Sequence, residues 1–119
     1  MPEQSNEITA WFSLRSVLDD VINTTDYKSL DPITQRLFEW VYLRCKTGRI
    51  LHTQEILYDS KVASHATIQK SIALLEKSGL IQIDLDLKDS RRKIISTTVK
   101  AKELVGALSS RVESWAQTH

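Results

Sequence analysis

The sequence predicts a mainly α fold carrying one small β-hairpin, and three observations predict it. From Gln54 to Lys102 two short helical stretches lead to a glycine stop at Gly79, an alternating segment with a basic tip, and a closing helix. Within it, the run from Ser64 to Ile81 sorts apolar and polar side chains onto opposite faces at the helical period. Two further amphipathic stretches flank this segment, one towards each end of the chain. Helix, helix, hairpin and helix in that order are the signature of a winged helix-turn-helix, here with N- and C-terminal dimerisation helices.

Each element has a local cause. Ile8, Trp11, Phe12, Leu18, Val21 and Ile22 form a broad stripe over Ile8 to Ile22, a helix of about four turns. Asn23 to Asp26 end it. Asp31 then caps a second helix and Pro32 takes its first position, where a missing N–H costs nothing. That helix runs from Ile33 to about Lys46, presents Leu37, Val41 and Tyr42 with Phe38 and Trp40 adding bulk, and stops at Gly48. Thr53 is expected to cap a short helix through Gln54 to Asp59, and Ser60 to Ala63 turn the chain into the run capped by Ser64. In that run Ile68, Ser71, Ile72 and Leu75 face the core. Ile81 to Lys88 alternates strictly, the period of a half-buried strand; Lys88 to Arg91 turn, and β-branched Lys93 to Thr98 returns as its partner. From Val99 the chain is helical again, with Leu104, Leu108, Val112 and Trp115 at spacings of four, four and three.

The 119 residues are expected to form a single winged-helix domain: an N-terminal dimerisation helix in 1–30, the winged core in 31–102 and a C-terminal dimerisation helix in 103–119. A core of that size does not need both flanking helices to close itself. A second copy of the chain is the economical partner for their stripes, so a homodimer is expected through Ile8, Trp11, Phe12, Leu18, Val21, Ile22, Leu104, Leu108, Val112 and Trp115.

Charge is unevenly distributed. Lys61 to Lys102 holds nine basic and four acidic residues, a net of +5, which leaves −4 for the rest of a chain whose formal charge is +1. A basic module in an acidic frame fits local binding of a polyanion with affinity sensitive to salt. The chain has no apolar span of membrane length and its start, Met1 to Glu7, is polar, so a cytoplasmic protein with no membrane partner is expected. The single Cys45 cannot form an internal disulfide and fits a reducing compartment.

The polar face of the central helix carries Ala66, Gln69, Lys70, Ala73 and Lys77, with Ser64 and His65 at its start. Small side chains permit close approach to a duplex groove, glutamine pairs with an adenine edge, and lysine reaches guanine or phosphate. The plainer reading is a solvated helix face. On the other side of the glycine stop, Lys88, Asp89, Arg91, Arg92 and Lys93 concentrate cations at the hairpin tip.

Leu75-Glu76-Lys77-Ser78-Gly79-Leu80-Ile81, followed at the usual interval by Asp89-Ser90-Arg91-Arg92, resembles the multiple-antibiotic-resistance-regulator (MarR) family of bacterial winged-helix transcription factors, over roughly Asp31 to Leu104. The resemblance implies double-stranded DNA as partner, with Asp89 and Arg91 paired at the wing tip and Arg91 entering a minor groove. After the wing this chain departs from the family's Leu-Thr-x-x-Gly pattern with Thr97-Thr98-Val99-Lys100-Ala101. A small-molecule effector is compatible with the resemblance, but no residue supports one.

His52, His65 and His119 share no ligand spacing with Cys45, so no metal is expected. Asp84 and Asp86 fall on one face of an alternating strand, ordinarily its wet side. Gly48, Gly79 and Gly106 are isolated, so no phosphate loop is formed, and no nucleophile is paired with a base in a recognisable context. Neither an enzyme nor a cofactor is expected. The expected function is sequence-specific DNA binding as a homodimeric bacterial transcriptional regulator. A protein-interaction winged helix and a phage or plasmid replication initiator are the alternatives.

Overall fold

The computed structural model describes the backbone of residues 3–118 and the side chains of residues 9–118. In chain order it forms α1 (Glu3–Asn23), a 3₁₀ turn (Asp26–Ser29), α2 (Pro32–Lys46), β1 (Leu51–His52), α3 (Thr53–Asp59), α4 (His65–Lys77), β2 (Ile81–Leu85), β3 (Lys93–Thr97) and α5 (Val99–Thr118). The chain divides into two compact units. One is Leu30–Lys102; the other joins α1 and the turn after it, through Ser29, to α5 from Glu103 onward.

In the first unit, Asp31 caps α2 as the sequence predicts. Its Oδ1 accepts from the Thr34 N–H at 3.0 Å, and Oδ2 lies 2.7 Å from the Thr34 hydroxyl. Those bonds, the Thr34 N–H first, hold the Asp31 carboxyl below its ordinary range. A carboxylate only accepts, so the Thr34 hydroxyl donates to it and takes a second bond from Ser71, 2.8 Å away across the buried α2–α4 contact. Thr34 and Ser71 are the buried polar residues of a core made by Leu37, Phe38, Val41, Leu51, Ile56, Ile68, Ile72, Leu75, Leu80, Ile81 and Ile95. The predicted core face of α4 is thus buried residue for residue.

Helix α4 ends as a Schellman cap: the Leu80 N–H bonds to the Leu75 carbonyl and the Gly79 N–H to the Glu76 carbonyl, each at 3.0 Å. Gly79 sits at φ +76°, and a Cβ there would meet the Lys100 side chain at ordinary contact distance. The cost of a substitution is therefore conformational. Gly79→Ala is expected to destabilise the chain by roughly 1–2 kcal/mol, read as a lowered midpoint in a urea titration. Strand β2 begins at Ile81, directly after the capping Leu80, so this cap sets where the hairpin leaves the helix.

The structure corrects the sequence reading at four places. His52, not Thr53, is the cap of α3: the Glu55 side chain accepts from the His52 backbone N–H at 3.3 Å. Residues Leu51 and His52 form a third strand, giving the antiparallel order β1-β3-β2 with Leu51 opposite Ile95 and His52 opposite Ile94. Strand β2 stops at Leu85 rather than Lys88, because Asp86 turns the chain by accepting the Lys88 N–H on its own side chain at 2.9 Å. Alternation therefore buries Ile81 and half-buries Ile83 but leaves Leu85 exposed and Leu87 wholly so, at 103%. Asp86 is not on the wet side; it is half-buried against His52.

In the second unit, Val21, Tyr27 and Leu104 are buried. Helices α1 and α5 are tied there by the Trp115 indole N–H, which donates to Ser13 Oγ at 2.9 Å, and by an Arg111–Asp20 ion pair.

Candidate nucleic-acid interface

Helix α4 is presented by its neighbours. Ser64 stands at its N-cap, where Oγ accepts from the Thr67 N–H at 3.3 Å. Between α3 and α4 the chain passes through Lys61 at φ +54°, a left-handed conformation that lets so short a turn reverse direction. With Ile68, Ser71, Ile72 and Leu75 buried, Ala66, Gln69, Lys70, Ala73 and Lys77 are all exposed, as are Ser64 and His65. His65 stands edge-on to Tyr58, ring centroids 4.8 Å apart.

The hairpin holds its tip by short-range bonds. Arg92 N–H donates to the Asp89 carbonyl, and Asp86 N–H to the Arg92 carbonyl, both at 2.9 Å. Asp89 Oδ1 accepts from the Arg91 backbone N–H at 3.1 Å and from Arg91 Nε at 3.2 Å. The aspartate thus holds the near side of the guanidinium, while the side chain remains 90% exposed. Lys88, Arg92 and Lys93 are exposed around it. The arrangement is a forked cation on a short leash, suited to an anionic groove.

Two shallow grooves lie beside the hairpin. One, of about 190 Å³, is lined by Thr53, Leu57, Gln69, Ile72, Ile83 and Lys93, so Gln69 on the polar face of α4 and the base of the hairpin share a wall. Another, also about 190 Å³, is lined by His52, Thr53, Gln54, Arg91, Arg92 and Lys93. His65, Lys70, Ala73 and Lys77 line neither groove and lie on the open face of α4.

Local periodicity gave no sign of the cluster beneath the hairpin. His52 Nδ1 lies 3.2 Å from Glu55 Oε1 and its Nε2 lies 2.9 Å from Asp86 Oδ2. The hydrogen bond from the His52 ring, followed by the Lys88 N–H, holds the Asp86 carboxyl below its ordinary range. Burial alone would raise Glu55, but bonds from the His52 ring and backbone, aided by Arg49, bring it below its ordinary range too. Cys45 is half-buried with Sγ 3.7 Å from the Ile95 carbonyl, and burial pushes its thiol up, away from the reactive thiolate. Among the described residues no three His, Cys, Asp or Glu side chains gather as a metal site, and no helix is long and apolar enough to cross a membrane.

Of the residues expected to join two copies, Val21 and Leu104 are already buried within one copy, and Leu18, Ile22, Leu108, Val112 and Trp115 are half-buried. Trp11 and Phe12 are 61% and 64% exposed. The side chain of Ile8 lies outside the described residues.

Solved structures share this fold. S. aureus MepR bound to ethidium bromide matches with a TM-score of 0.78 at 19% identity, over 99% of this chain and 80% of that one. A S. aureus MepR–DNA complex matches with a TM-score of 0.73 at 19% identity, over 98% of this chain and 88% of the other. MarR itself matches with a TM-score of 0.60 at 19% identity, over 99% of this chain and 80% of that one. The fold is therefore a MarR-like winged helix. No family model matches the sequence, and neither does any curated protein.

Proposed function

We propose that the chain binds double-stranded DNA sequence-specifically as a homodimer and acts as a bacterial transcriptional regulator by occupying an operator. The observation that carries this reading is the Asp89–Arg91 pair: a guanidinium anchored by Nε and by its backbone N–H, with its far edge free, on the same unit as the exposed amide-and-lysine face of α4. Helix α4 would enter a major groove and the wing the adjacent minor groove, where narrow width strengthens the negative potential that draws arginine. The MepR–DNA complex of the same fold supports the reading.

In this arrangement Ala66 and Ala73 permit close approach, Gln69 reads a base edge, Lys70 serves a base or a phosphate, and Ser64, His65 and Lys77 lie at the two ends of the reading helix. Lys88, Arg92 and Lys93 neutralise phosphates beside Arg91. The test is selection of bound duplexes from a random pool, then titration of an enriched duplex at two salt concentrations. Enrichment of a two-fold symmetric site with steep salt dependence is the expected result.

Gln69→Ala is expected to cost about 1–3 kcal/mol on the enriched duplex and little on a scrambled one. Equal losses on both would remove Gln69 from base reading. The exposed Leu85 and Leu87 favour a second reading, in which the wing docks a protein. Absence of an enriched sequence, together with weak salt dependence, would put that reading first.

A further inference from the structure

The ring of His52 has a carboxylate on each side, Glu55 at 3.2 Å and Asp86 at 2.9 Å. A neutral imidazole carries one N–H and one bare lone pair, so one of the two carboxylates must then face a lone pair. Only the imidazolium donates to both. The two partners belong to different parts of the unit. Glu55 lies in the first turn of α3 and also accepts the His52 backbone N–H. Asp86 closes the base of the wing: its Oδ1 takes the Lys88 N–H and its own N–H bonds to the Arg92 carbonyl, so both arms of the wing are tied to it. His52 is also paired with Ile94 on the returning strand.

We propose that His52, doubly protonated, is a positioning residue for DNA binding: it pins Asp86, and with it the turn that presents Arg91, against the start of α3, and it releases that pin when the ring loses a proton. The consequence for affinity rests on the DNA-binding reading; the pin itself does not. The other charged groups near the cluster are Arg49, before β1 and lining a groove together with Glu55, and Arg91, Arg92 and Lys93, which line the groove beside the ring. The two carboxylates, held below their ordinary range, stay charged from about pH 5 to pH 8. Imidazole is the side chain of the cluster whose ordinary range falls within that window. The sign follows: the wing is held at the acid end and loosened as pH rises.

Two measurements test this. The first follows the ring nitrogens of His52 and the backbone amides of Lys88, Ser90 and Arg92 by NMR from about pH 5 to pH 8 in the free protein. The wing amides are expected to shift with the midpoint of the His52 ring. The second titrates an enriched duplex over the same range, where parent affinity is expected to fall roughly three- to tenfold towards the alkaline end, the worth of one charge-assisted bond near the surface. Asp86→Asn is the decisive variant, because a carboxamide donates to the bare Nε2 of a neutral ring and holds the pin without the second proton. It also removes a negative charge and tightens binding at every pH, so the readout is slope, and its profile is expected to be flat. His65→Gln, whatever its absolute affinity, is expected to keep the parent's slope.

A merely structural Asp86 would leave Asp86→Asn with the parent's profile, and that result overturns the proposal. So do wing amides that stay silent while the ring titrates, or a pH dependence that vanishes with His65. If neither parent nor variant binds any duplex, the DNA-binding reading fails, and the coupling of ring and wing amides alone decides the pin.

Discussion

Arg91→Ala is expected to lower affinity for an enriched duplex by about ten- to a hundredfold, the range of a charge-assisted contact made in a confined groove. It is also expected to reduce the slope of log affinity against log salt by about 1. Thermal stability should barely move. The Arg91 side chain is 90% exposed and its bond to Asp89 is an exposed ion pair, a kind that contributes about 0–1 kcal/mol. Arg91→Lys should restore most of the salt slope and little of the affinity, since an ammonium keeps the charge but lacks the planar fork and the weaker hydration that suit a narrow groove. Duplex titrations at two salt concentrations, each paired with a melting curve, separate these outcomes. A variant that binds like its parent with an unchanged slope would remove the wing from the DNA contact and advance the protein-docking reading.

The combined substitution Trp11→Ser, Phe12→Ser is expected to convert a dimer into monomers. Aromatic side chains that fill the centre of an interface commonly cost about 2 kcal/mol or more each when truncated, so the pair should raise the dissociation constant by at least a thousandfold. Both are largely exposed on one copy, so their loss should leave each chain folded. Sedimentation equilibrium at tens of micromolar reads the change in mass, and far-ultraviolet circular dichroism checks the helices. A parent chain that sediments as a monomer at that concentration would sink the dimer. If the dimer holds in the parent and fails in the variant, affinity for a two-half-site duplex should fall with it, because each half is then bound alone.

What the sequence revealed follows the range of the interactions involved. The core face of α4, the Asp31 cap of α2 and the glycine stop at Gly79 are local features with periods or offsets of a few residues, and the structure has them where they were expected. The polar side of α4 and the cationic wing tip were legible for the same reason. What could not be read depends on partners distant in sequence. Strand β1 is two residues long, too short for any alternation to show, and exists because Leu51 and His52 register against Ile95 and Ile94. The His52–Asp86 contact joins residues 34 apart, and without that register Asp86 looked like one more polar residue on an alternating strand. The same alternation carried Leu87 into a strand that Asp86 had already ended.

The small sheet also bears on how the protein keeps from aggregating. Because β3 lies between β1 and β2, its two edges are both occupied, and the open strand edges of the sheet are those of β1 and β2. The first is too brief to template another strand. The second is five residues long and carries exposed Gln82 and Asp84, whose side chains bond to each other at 3.0 Å. An incoming β-strand would have to settle beside an unneutralised carboxylate, the kind of guard that natural sheets use against edge-to-edge growth. The sheet can therefore hold an exposed, cationic tip out in solvent without offering an open edge to a second strand.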